Sequence, residues 1–497
     1  MSRPAFHSVL RRKPIDEITE EGSHGGLLKT LGLWQLTAIG VGGIIGVGIF
    51  TLAGVVARGD GVNPAVGPAV IISFLIAGLA SAAAALSYAE FAGMIPRAGS
   101  AYTYGYVALG EIIGWFIGWD LLLEYTAIVS VVAIGISGYA SAFLAGIGIP
   151  LPDALAYART PETPDGVINV PAILTCLIVT WILSRGSKSF GRFELVAVGL
   201  KILVIVAIIG IGVFHVHANN FTPFMPSGFG PVLAGSATVF FAVFGYDAMS
   251  TAAEEAVDGK KHMPKAILLS LAIAMVLYVL ATVVLTGMQK YTQINPKSAF
   301  ASAFDAVGMP TIATIISAFA VVSILTVMLT FMLGVTRVWY SMSRDGLLPK
   351  WFAKTDAKRG VPQRTTWIVG IVSALLAGVF PIRLVADLTN IGILAAFVVV
   401  CASVIVLRKT RPDAPRTFRL PLMPLVPAFG VLASFFLMLQ LHSDTWLRFG
   451  VWLVIGLTIY WFYGRKHSLL NPASPRHAVP ADIADGGKFS SLERDRT

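Results

Sequence analysis

Cysteine and charged residues are both scarce in this sequence. Cys176 and Cys401 are the only cysteines among 497 residues, and each lies within an apolar run. They predict neither a disulfide framework nor a cysteine metal site, and no other metal site is expected. Charged residues make up 13% of the chain, against about 25% in soluble domains. So few charges cannot cover the surface of a soluble protein of this length.

Apolar residues fill the chain instead. They make up 56% of it, and the mean hydropathy is +0.76, which indicates an integral membrane protein. Residues 1–33 are polar and basic, so no cleavable signal peptide is expected ahead of the first apolar run. That run would itself direct insertion.

Twelve apolar runs are long enough to suggest membrane-spanning helices, which makes the predicted fold an all-α membrane protein with 12 spans. The runs are 34–56, 67–93, 109–146, 170–183, 193–214, 229–254, 266–287, 312–343, 366–380, 387–407, 423–441 and 447–463.

The basic residues predict the orientation of these spans. Of the 37 Lys and Arg residues, 29 fall in segments that are cytoplasmic if the N-terminus is inside, and five fall in the outer loops. Because cytoplasmic loops are enriched in Lys and Arg, both termini are predicted to be cytoplasmic in a multi-pass protein of the cell membrane. The net charge of +10 therefore reflects topology, and no nucleic-acid partner is expected.

The first run is interrupted by glycine. Five of the nine residues in 40–48 are glycine, and each disfavours a helix by up to about 1 kcal/mol. One interpretation is close helix packing, since Gly42 and Gly46 form a GxxxG pair. The other is a broken helix whose main-chain groups bind a ligand, because such groups are tolerated inside a membrane only within protein or beside a polar cavity. We favour the ligand site.

A second interruption, at 240–247, brings glycine and an acid into the sixth run. Two broken helices at matching places predict a 5+5 inverted repeat whose breaks meet near the midplane. Helix N-termini suit a carboxylate and exposed carbonyls suit an ammonium, so together they suit an amino acid.

The predicted organisation has five parts. A cytoplasmic arm (1–33) precedes the first repeat (34–214, spans 1–5) and the second repeat (228–407, spans 6–10). Spans 11 and 12 (423–463) are accessory, and residues 464–497 form a cytoplasmic tail.

Three ionisable residues inside apolar runs are candidates for function, because charges there are costly. Lys201 could carry a coupling proton or form a fixed ion pair with Glu124 or another acid. Glu124 could contact the substrate, relay a proton or hold neighbouring helices. Asp247 could cap the inner half-helix or contact the substrate. Convergent nucleophiles, bases or metal ligands are not evident in the sequence, so an enzyme is not expected.

Four segments in this order resemble the amino acid-polyamine-organocation superfamily, and within it the bacterial relatives of cationic amino acid transporters. They are 43–50 (GIIGVGIF), 96–102 (PRAGSAY), 241–255 (FAVFGYDAMSTAAEE) and 337–349 (RVWYSMSRDGLLP), and the likeness covers roughly residues 30–465.

The resemblance implies an inverted repeat and specific contacts for the substrate. Its carboxylate would be held around Ile44, Gly46, Val47 and Gly48, and its amino group by carbonyls near Ile44, Phe241, Ala242 and Phe244. Lys201 matches the fifth-span lysine of proton-dependent members, Glu124 matches a third-span acid that bears on substrate or coupling, and Met332 lies where the eighth span shapes the side-chain pocket.

Two departures from the family pattern stand out. Val47 replaces a small or hydroxyl residue, which leaves the carboxylate to backbone amides. Asp258-Gly259 replaces a more typical Asn-Pro pair in an inner loop, with little expected effect.

The expected function is proton-coupled uptake of a small neutral or cationic L-amino acid by alternating access, with the proton as coupling ion and no other cofactor. The bulky Phe and Met lining favours a small neutral substrate, whereas the family resemblance favours a cationic one. Exchange of amino acids or amines and a non-transporting nutrient receptor are the alternatives. The expected partners are the amino acid and the lipid bilayer; a monomer would be sufficient, and a small accessory membrane subunit is left open.

Overall fold

The structure is a computed structural model that describes residues 11–12, 31–59, 63–95, 100–160, 163–185, 190–251, 253, 256–354, 361–472 and 474. Most of the arm predicted at 1–33 and of the tail predicted at 464–497 lies outside the described residues. The same holds for 96–99 in the second motif and for 252, 254 and 255 in the third.

Helices dominate the described part of the chain, and the longer ones are numbered here in chain order. They are α1 Leu33–Ile44, α2 Ala53–Arg58, α3 Val70–Met94, α4 Ser100–Ala108, α5 Glu111–Gly146, α6 Val170–Ser184, α7 Phe190–Gly212, α8 Phe229–Val239, α9 Tyr246–Ser250, α10 Gly259–Met288, α11 Ala299–Ala306, α12 Pro310–Arg344, α13 Gln363–Val379, α14 Ile382–Thr410, α15 Leu425–Leu439 and α16 Ser443–Ile459.

Within the described ranges, nine helical stretches are long and apolar enough to cross a membrane, which supports a multi-pass membrane protein. Three further apolar helices, α6, α13 and α15, are shorter. Each of the twelve predicted runs overlaps a helix. The exact number of crossings and the inverted repeat stay predictions.

Helix α5 lies at the centre of the bundle. It is 36 residues long and packs against α4, α6, α12, α13 and α14. Apolar side chains around most of its circumference are buried, as expected of a helix surrounded by protein rather than lipid. Helix α10 packs instead against α1 and α3.

Both predicted interruptions are present, but each is shorter than predicted. Helix α1 continues through Gly42 and Gly43 to Ile44, and the chain then extends at Ile45, where ψ is 110°. A π-helical turn, Gly48–Leu52, leads into α2. Within the stretch 40–48, where the break was predicted, residues 40–44 are therefore still helical. Packing explains this, because glycine is tolerated in a helix where a neighbour leaves no room for a side chain.

The second interruption separates α8 from α9. A 3₁₀ turn, Phe240–Ala242, is followed by non-helical residues up to Gly245, whose φ is +119°. Tyr246 and Asp247 lie within the interruption predicted at 240–247 but are already helical. A φ of this sign favours glycine, which fixes the position of the break.

Candidate functional site

The two interrupted helices touch through their main chains. An added Cβ on Gly43 would lie 3.0 Å from the carbonyl oxygen of Gly245, and one on Gly245 would lie 2.7 Å from the carbonyl carbon of Gly43. A second contact joins Gly48 to Ala242, where a Cβ on the glycine would collide with the alanine. The breaks therefore lie together, as the sequence predicted.

The remaining glycines of the first run also lie against neighbouring side chains. An added Cβ on Gly40 would lie 2.7 Å from Ser270 Oγ, and one on Gly46 would lie 2.6 Å from Val327 Cγ2. Gly42 meets Val198 in the same way, at 2.6 Å. Close packing therefore accounts for the glycine density, and the break itself needs far fewer glycines than the run contains.

Lys201 joins the first break to α12. Its buried ammonium donates hydrogen bonds to the carbonyl oxygens of Gly42, at 2.8 Å, and Ile45, at 2.6 Å, and to Thr326 Oγ1, at 2.7 Å. An ammonium has three donors, and these contacts use all three. Helix α1 ends here, so these carbonyls lack the N–H donors that a further helical turn would supply. The lysine ammonium donates to them instead.

Asp247 holds the second break in shape. Its Oδ1 accepts a hydrogen bond from the backbone N–H of Gly245 at 3.1 Å, and its Oδ2 accepts one from the hydroxyl of Tyr125 on α5. The first bond caps the start of α9, which is the commoner use of an acid near a helix N-terminus. Both carboxylate oxygens are thus engaged by protein groups.

Two further carbonyls at the breaks also accept hydrogen bonds from side chains. The hydroxyl of Tyr278 on α10 donates to Ile44 O at 2.8 Å, and Ser81 Oγ on α3 donates to Val243 O at 2.5 Å. Ile44 O was a predicted acceptor for the substrate amino group. It has one lone pair left for that purpose.

Aromatic rings form a wall beside the breaks. Phe241 and Phe244 lie edge to face with ring centroids 5.4 Å apart, and Phe244 lies 5.5 Å from Phe331 of α12. Phe331 in turn lies 5.1 Å from Tyr125. All four rings are buried. This wall suits an apolar group.

Two predicted site residues point their side chains elsewhere. The Val47 side chain packs against α5 at Gly135 and is fully buried. The Met332 sulfur lies 3.9 Å from Thr180 Oγ1 on α6, so its neighbour Phe331, not Met332, faces the breaks. Glu124 is buried, and its Cβ lies beside Gly392 of α14. For Met332, a place in the side-chain pocket therefore has no support from these contacts.

Several residues at the site were not singled out from the sequence. Five such side chains contact the breaks or the residues bonded to them: Phe331, Val327 and Thr326 of α12, Tyr278 of α10 and Tyr125 of α5. Tyr125 carried a weak signal, because a tyrosine beside a buried acid needs a hydrogen-bond partner. The others sit in apolar runs that give no sign of which side chains face inward.

A cavity of about 470 Å³ lies at the α2 end of the bundle. Thr51 and Ile134 line it, and Thr51 is one helical turn beyond Val47. Nearby, Phe50 lies between Tyr139 and Phe300, with ring centroids 5.9 and 6.0 Å away. Phe50 precedes Thr51 and Tyr139 follows Gly138, both of which line the cavity, so this aromatic cluster lies beside it.

The opposite end of the bundle is joined by polar clusters. Glu90 on α3 accepts bonds from Arg408 at 2.7 Å, Arg416 at 3.1 Å and the backbone N–H of Leu420 at 2.8 Å. Other clusters there centre on Glu111 and Asp345, which accept hydrogen bonds from Ser468 and Tyr102. The described ranges contain no group of three metal-ligating side chains.

Comparisons with known proteins find relatives along nearly the whole chain. A family model described as amino acid permease matches residues 31–459. The methylthioribose transporter of Bacillus subtilis (strain 168) is 43% identical over 93% of this chain and 99% of its own length. The branched-chain amino acid permease BcaP of the same organism is 44% identical over the same shares. The vacuolar cationic amino acid transporter 4 of Arabidopsis thaliana is 30% identical over 94% of this chain and 97% of its own length.

Proposed function

The chain belongs to the amino acid permease family, and from this we propose that it imports L-amino acids across the cell membrane by proton-coupled alternating access. The observation that carries the proposal is the contact of the two broken helices at Gly43 and Gly245. Broken helices that meet within a bundle are the usual binding site of transporters of this kind. Because the family is one of permeases, an enzymatic activity is not part of the proposal.

The breaks supply groups for both ends of an amino acid. The helical turn that starts after Gly46 offers Val47 and Gly48 amides to the carboxylate, since the first N–H groups of a helix lack partners within it. The acceptors proposed for the amino group of the substrate are the backbone carbonyls of Ile44, Phe241, Ala242 and Phe244. We assign Asp247 mainly to holding this arrangement, with substrate contact as a secondary role.

We propose twelve membrane crossings arranged as two inverted repeats of five, with two accessory helices. The placement of short helices supports this. Helix α4 lies between the second and third predicted spans, and α11 lies between the seventh and eighth, which is the equivalent place five spans later. We also propose that both termini are cytoplasmic, which would place the cavity on the outside.

The aromatic wall favours an apolar substrate side chain. The side chains of Phe241, Phe244 and Phe331 have no hydrogen-bonding group. The carboxylate of Asp247 already accepts hydrogen bonds from Gly245 and Tyr125, so it does not favour a cationic side chain. A relative named for branched-chain amino acids matches 44% of aligned residues, whereas the relatives named for cationic amino acids match 28–35%. We therefore rank small neutral amino acids ahead of cationic ones.

Lys201 is the proposed carrier of the coupling proton. In the charged form it has three donors for Gly42 O, Ile45 O and Thr326 Oγ1, and loss of a proton removes one of them. The connection between the first break and α12 therefore depends on the protonation of one side chain. Coupling of proton movement to a conformational change requires that protonation alters a contact between helices in this way.

The test is uptake into proteoliposomes by the wild type and by Lys201→Ala. Lys261→Ala is the matched control, because that lysine is 71% exposed. An inward gradient of one pH unit drives about tenfold accumulation for each proton coupled. We expect the wild type and the control to accumulate labelled leucine or alanine more strongly than arginine, and Lys201→Ala to equilibrate them without accumulation.

Each other outcome has a definite meaning. Uptake that ignores pH in all three proteins contradicts proton coupling. Counterflow without net uptake favours exchange, and specific binding without flux under any gradient favours a receptor.

A further inference from the structure

A fully buried asparagine on α14 lies beside the second break. The side-chain nitrogen of Asn390 donates hydrogen bonds to two carbonyl oxygens of α8, those of Ala237 at 2.9 Å and Thr238 at 3.1 Å. A carbonyl oxygen can only accept, so the end of the amide that faces this pair must be its NH2 group. Both donors of Asn390 are therefore used at one place.

The two carbonyls belong to the last turn of α8. The helix ends at Val239, where the 3₁₀ turn Phe240–Ala242 begins, and the last four carbonyls of a helix have no partner within it. A carbonyl without a donor is costly inside a membrane, because water is not there to replace the missing bond. Asn390 satisfies the groups that the interruption leaves open, and it attaches the end of α8 to α14.

Helix α14 also packs against both sides of the second break. The ring of Phe397, two turns beyond Asn390, has its centroid 5.6 Å from that of Phe240, the first residue of the 3₁₀ turn. The same ring stacks at 5.8 Å on Tyr246, the first residue of α9. Helix α14 thus holds the chain before the break through hydrogen bonds and ring packing, and the chain after it through ring packing.

The first break is held in a similar way. Lys201 of α7 donates to the carbonyls of Gly42 and Ile45 at the end of α1. The spacing along the chain is also alike, since 159 residues separate Lys201 from Gly42 and 153 separate Asn390 from Ala237. In the predicted inverted repeat the first span corresponds to the sixth and the fifth to the tenth. The two donors therefore occupy corresponding spans and bind corresponding half-helices.

The two donors differ in their chemistry. An ammonium can lose a proton, whereas an amide neither gains nor loses one in the working range of pH. We propose that Asn390 is the positioning residue of the second break and the counterpart of Lys201. It holds the end of α8 whether or not the coupling proton is bound, so the proton controls the first break alone.

Asn390 acts on the substrate through the main chain that follows α8. Phe241 and Ala242, whose carbonyls are proposed acceptors for the amino group, come directly after the last turn that Asn390 holds. A change at Asn390 should therefore alter the affinity for the substrate and leave the number of coupled protons unchanged. This inference rests on the proposed function, because the breaks must bind the substrate for their positioning to matter.

The first experiment measures leucine counterflow, which needs no gradient, in proteoliposomes containing Asn390→Ala. The variant leaves two buried carbonyls without a donor, so we expect KM to rise about tenfold. A loss of folded protein would instead lower the maximal rate at an unchanged KM. Thr389→Val is the matched control, since Thr389 is equally buried on α14 and its hydroxyl bonds Val385 O within the same helix. The control should keep the KM of the wild type.

The second experiment measures accumulation under an inward gradient of one pH unit. Final accumulation depends on the number of protons coupled and not on affinity. Asn390→Ala should therefore reach about the same tenfold accumulation for each proton as the wild type, only more slowly. Lys201→Ala should not accumulate leucine at all.

The third experiment uses Asn390→Asp, which should be rescued by acid. An ionised carboxylate offers no donor to two carbonyl oxygens, whereas the protonated acid offers one. Counterflow of the variant, divided by that of the wild type, should rise as the pH on both sides is lowered from about 8 to about 5. The division removes what other titratable groups contribute to both proteins, among them Lys201, Asp387 on α14, and Asp120 and Glu124 of α5.

Three results would overturn the inference. Asn390→Ala could keep the KM of the wild type, or it could lose accumulation as Lys201→Ala does. The ratio for Asn390→Asp could stay constant with pH. If the wild type exchanges leucine but never accumulates it, proton-coupled uptake fails, and the KM of Asn390→Ala and the pH ratio of Asn390→Asp still decide the role of this residue.

Discussion

At the scale of single residues, Gly43 and Gly245 determine how closely the two breaks approach. The contact is between main chains, and Gly245 also adopts a φ of +119°, which L side chains rarely adopt. The close contact with Gly43 and the positive φ both restrict the residue at position 245. Gly245 is therefore the glycine of this site at which substitution should be most costly.

We predict that Gly245→Ala lowers stability by more than about 2 kcal/mol, because it combines backbone strain with a collision against Gly43 and Ile44. The measurement is the thermal midpoint of the purified protein, with uptake as a second readout. Gly210→Ala in α7 is the control, since an added Cβ there meets no atom within 4 Å. It should be neutral or stabilise by up to about 1 kcal/mol. Equal effects of the two substitutions would contradict the packing described here.

The sequence identified some site residues and missed others for a physical reason. Lys201, Glu124 and Asp247 stand out because a charge inside an apolar run is costly and therefore needs a purpose. Phe331 and Val327 do not stand out, because phenylalanine and valine are ordinary in a membrane helix. Which of them faces the breaks depends on helix rotation, which only the packing reveals.

At the scale of elements, helices could be predicted better than their ends or interruptions. Each apolar run overlaps a helix because length and hydropathy are enough to identify one. Helices α4 and α11 have nine and eight residues, too few to give such a signal. The glycine run predicted the first interruption but overstated its length, because α10 at Gly40 and α7 at Gly42 pack closely against glycines that stay helical.

A second prediction concerns the cluster that ties α3 to α14 and to the chain after it. Glu90 is 2% exposed and Arg416 is 1% exposed, with Arg408 at 22%. Glu90→Gln leaves two arginines without a counter-charge, and breaking a buried pair in this way costs about 3–5 kcal/mol. We expect a clearly lower thermal midpoint.

Asp258→Asn is the matched control for Glu90→Gln. Asp258 pairs with Lys261 at 3.2 Å, but both side chains are well exposed. An exposed pair contributes about 0.5 kcal/mol or less, so this variant should melt as the wild type does. If Glu90→Gln also melts as the wild type does, the cluster is not needed to join these elements.

At the scale of the whole molecule, the two ends of the bundle differ. One holds a cavity of about 470 Å³, and the other is joined by the clusters around Glu90, Glu111 and Asp345. Alternating access requires such a difference, because both ends cannot be open at once. The basic residues of the loops predict that the cavity faces outward.

Cysteine labelling tests this orientation. Cys176 and Cys401 are both buried, so they should stay unlabelled in the folded protein. We expect Asp444→Cys, at an exposed residue lining the cavity, to react with a membrane-impermeant maleimide in intact cells. Lys260→Cys, at an exposed residue of the other end, should react only after the membrane is opened. The reverse pattern would invert the proposed topology.

The contact between Gly43 and Gly245 has a further consequence for protein engineering. Because it is built almost wholly from main-chain atoms, it does not depend on which side chains surround it. A chimaera that joins the N-terminal half of this chain to the C-terminal half of another permease would keep the same junction at its centre, provided that both glycines are retained. Such hybrids could show which half selects the transported molecule.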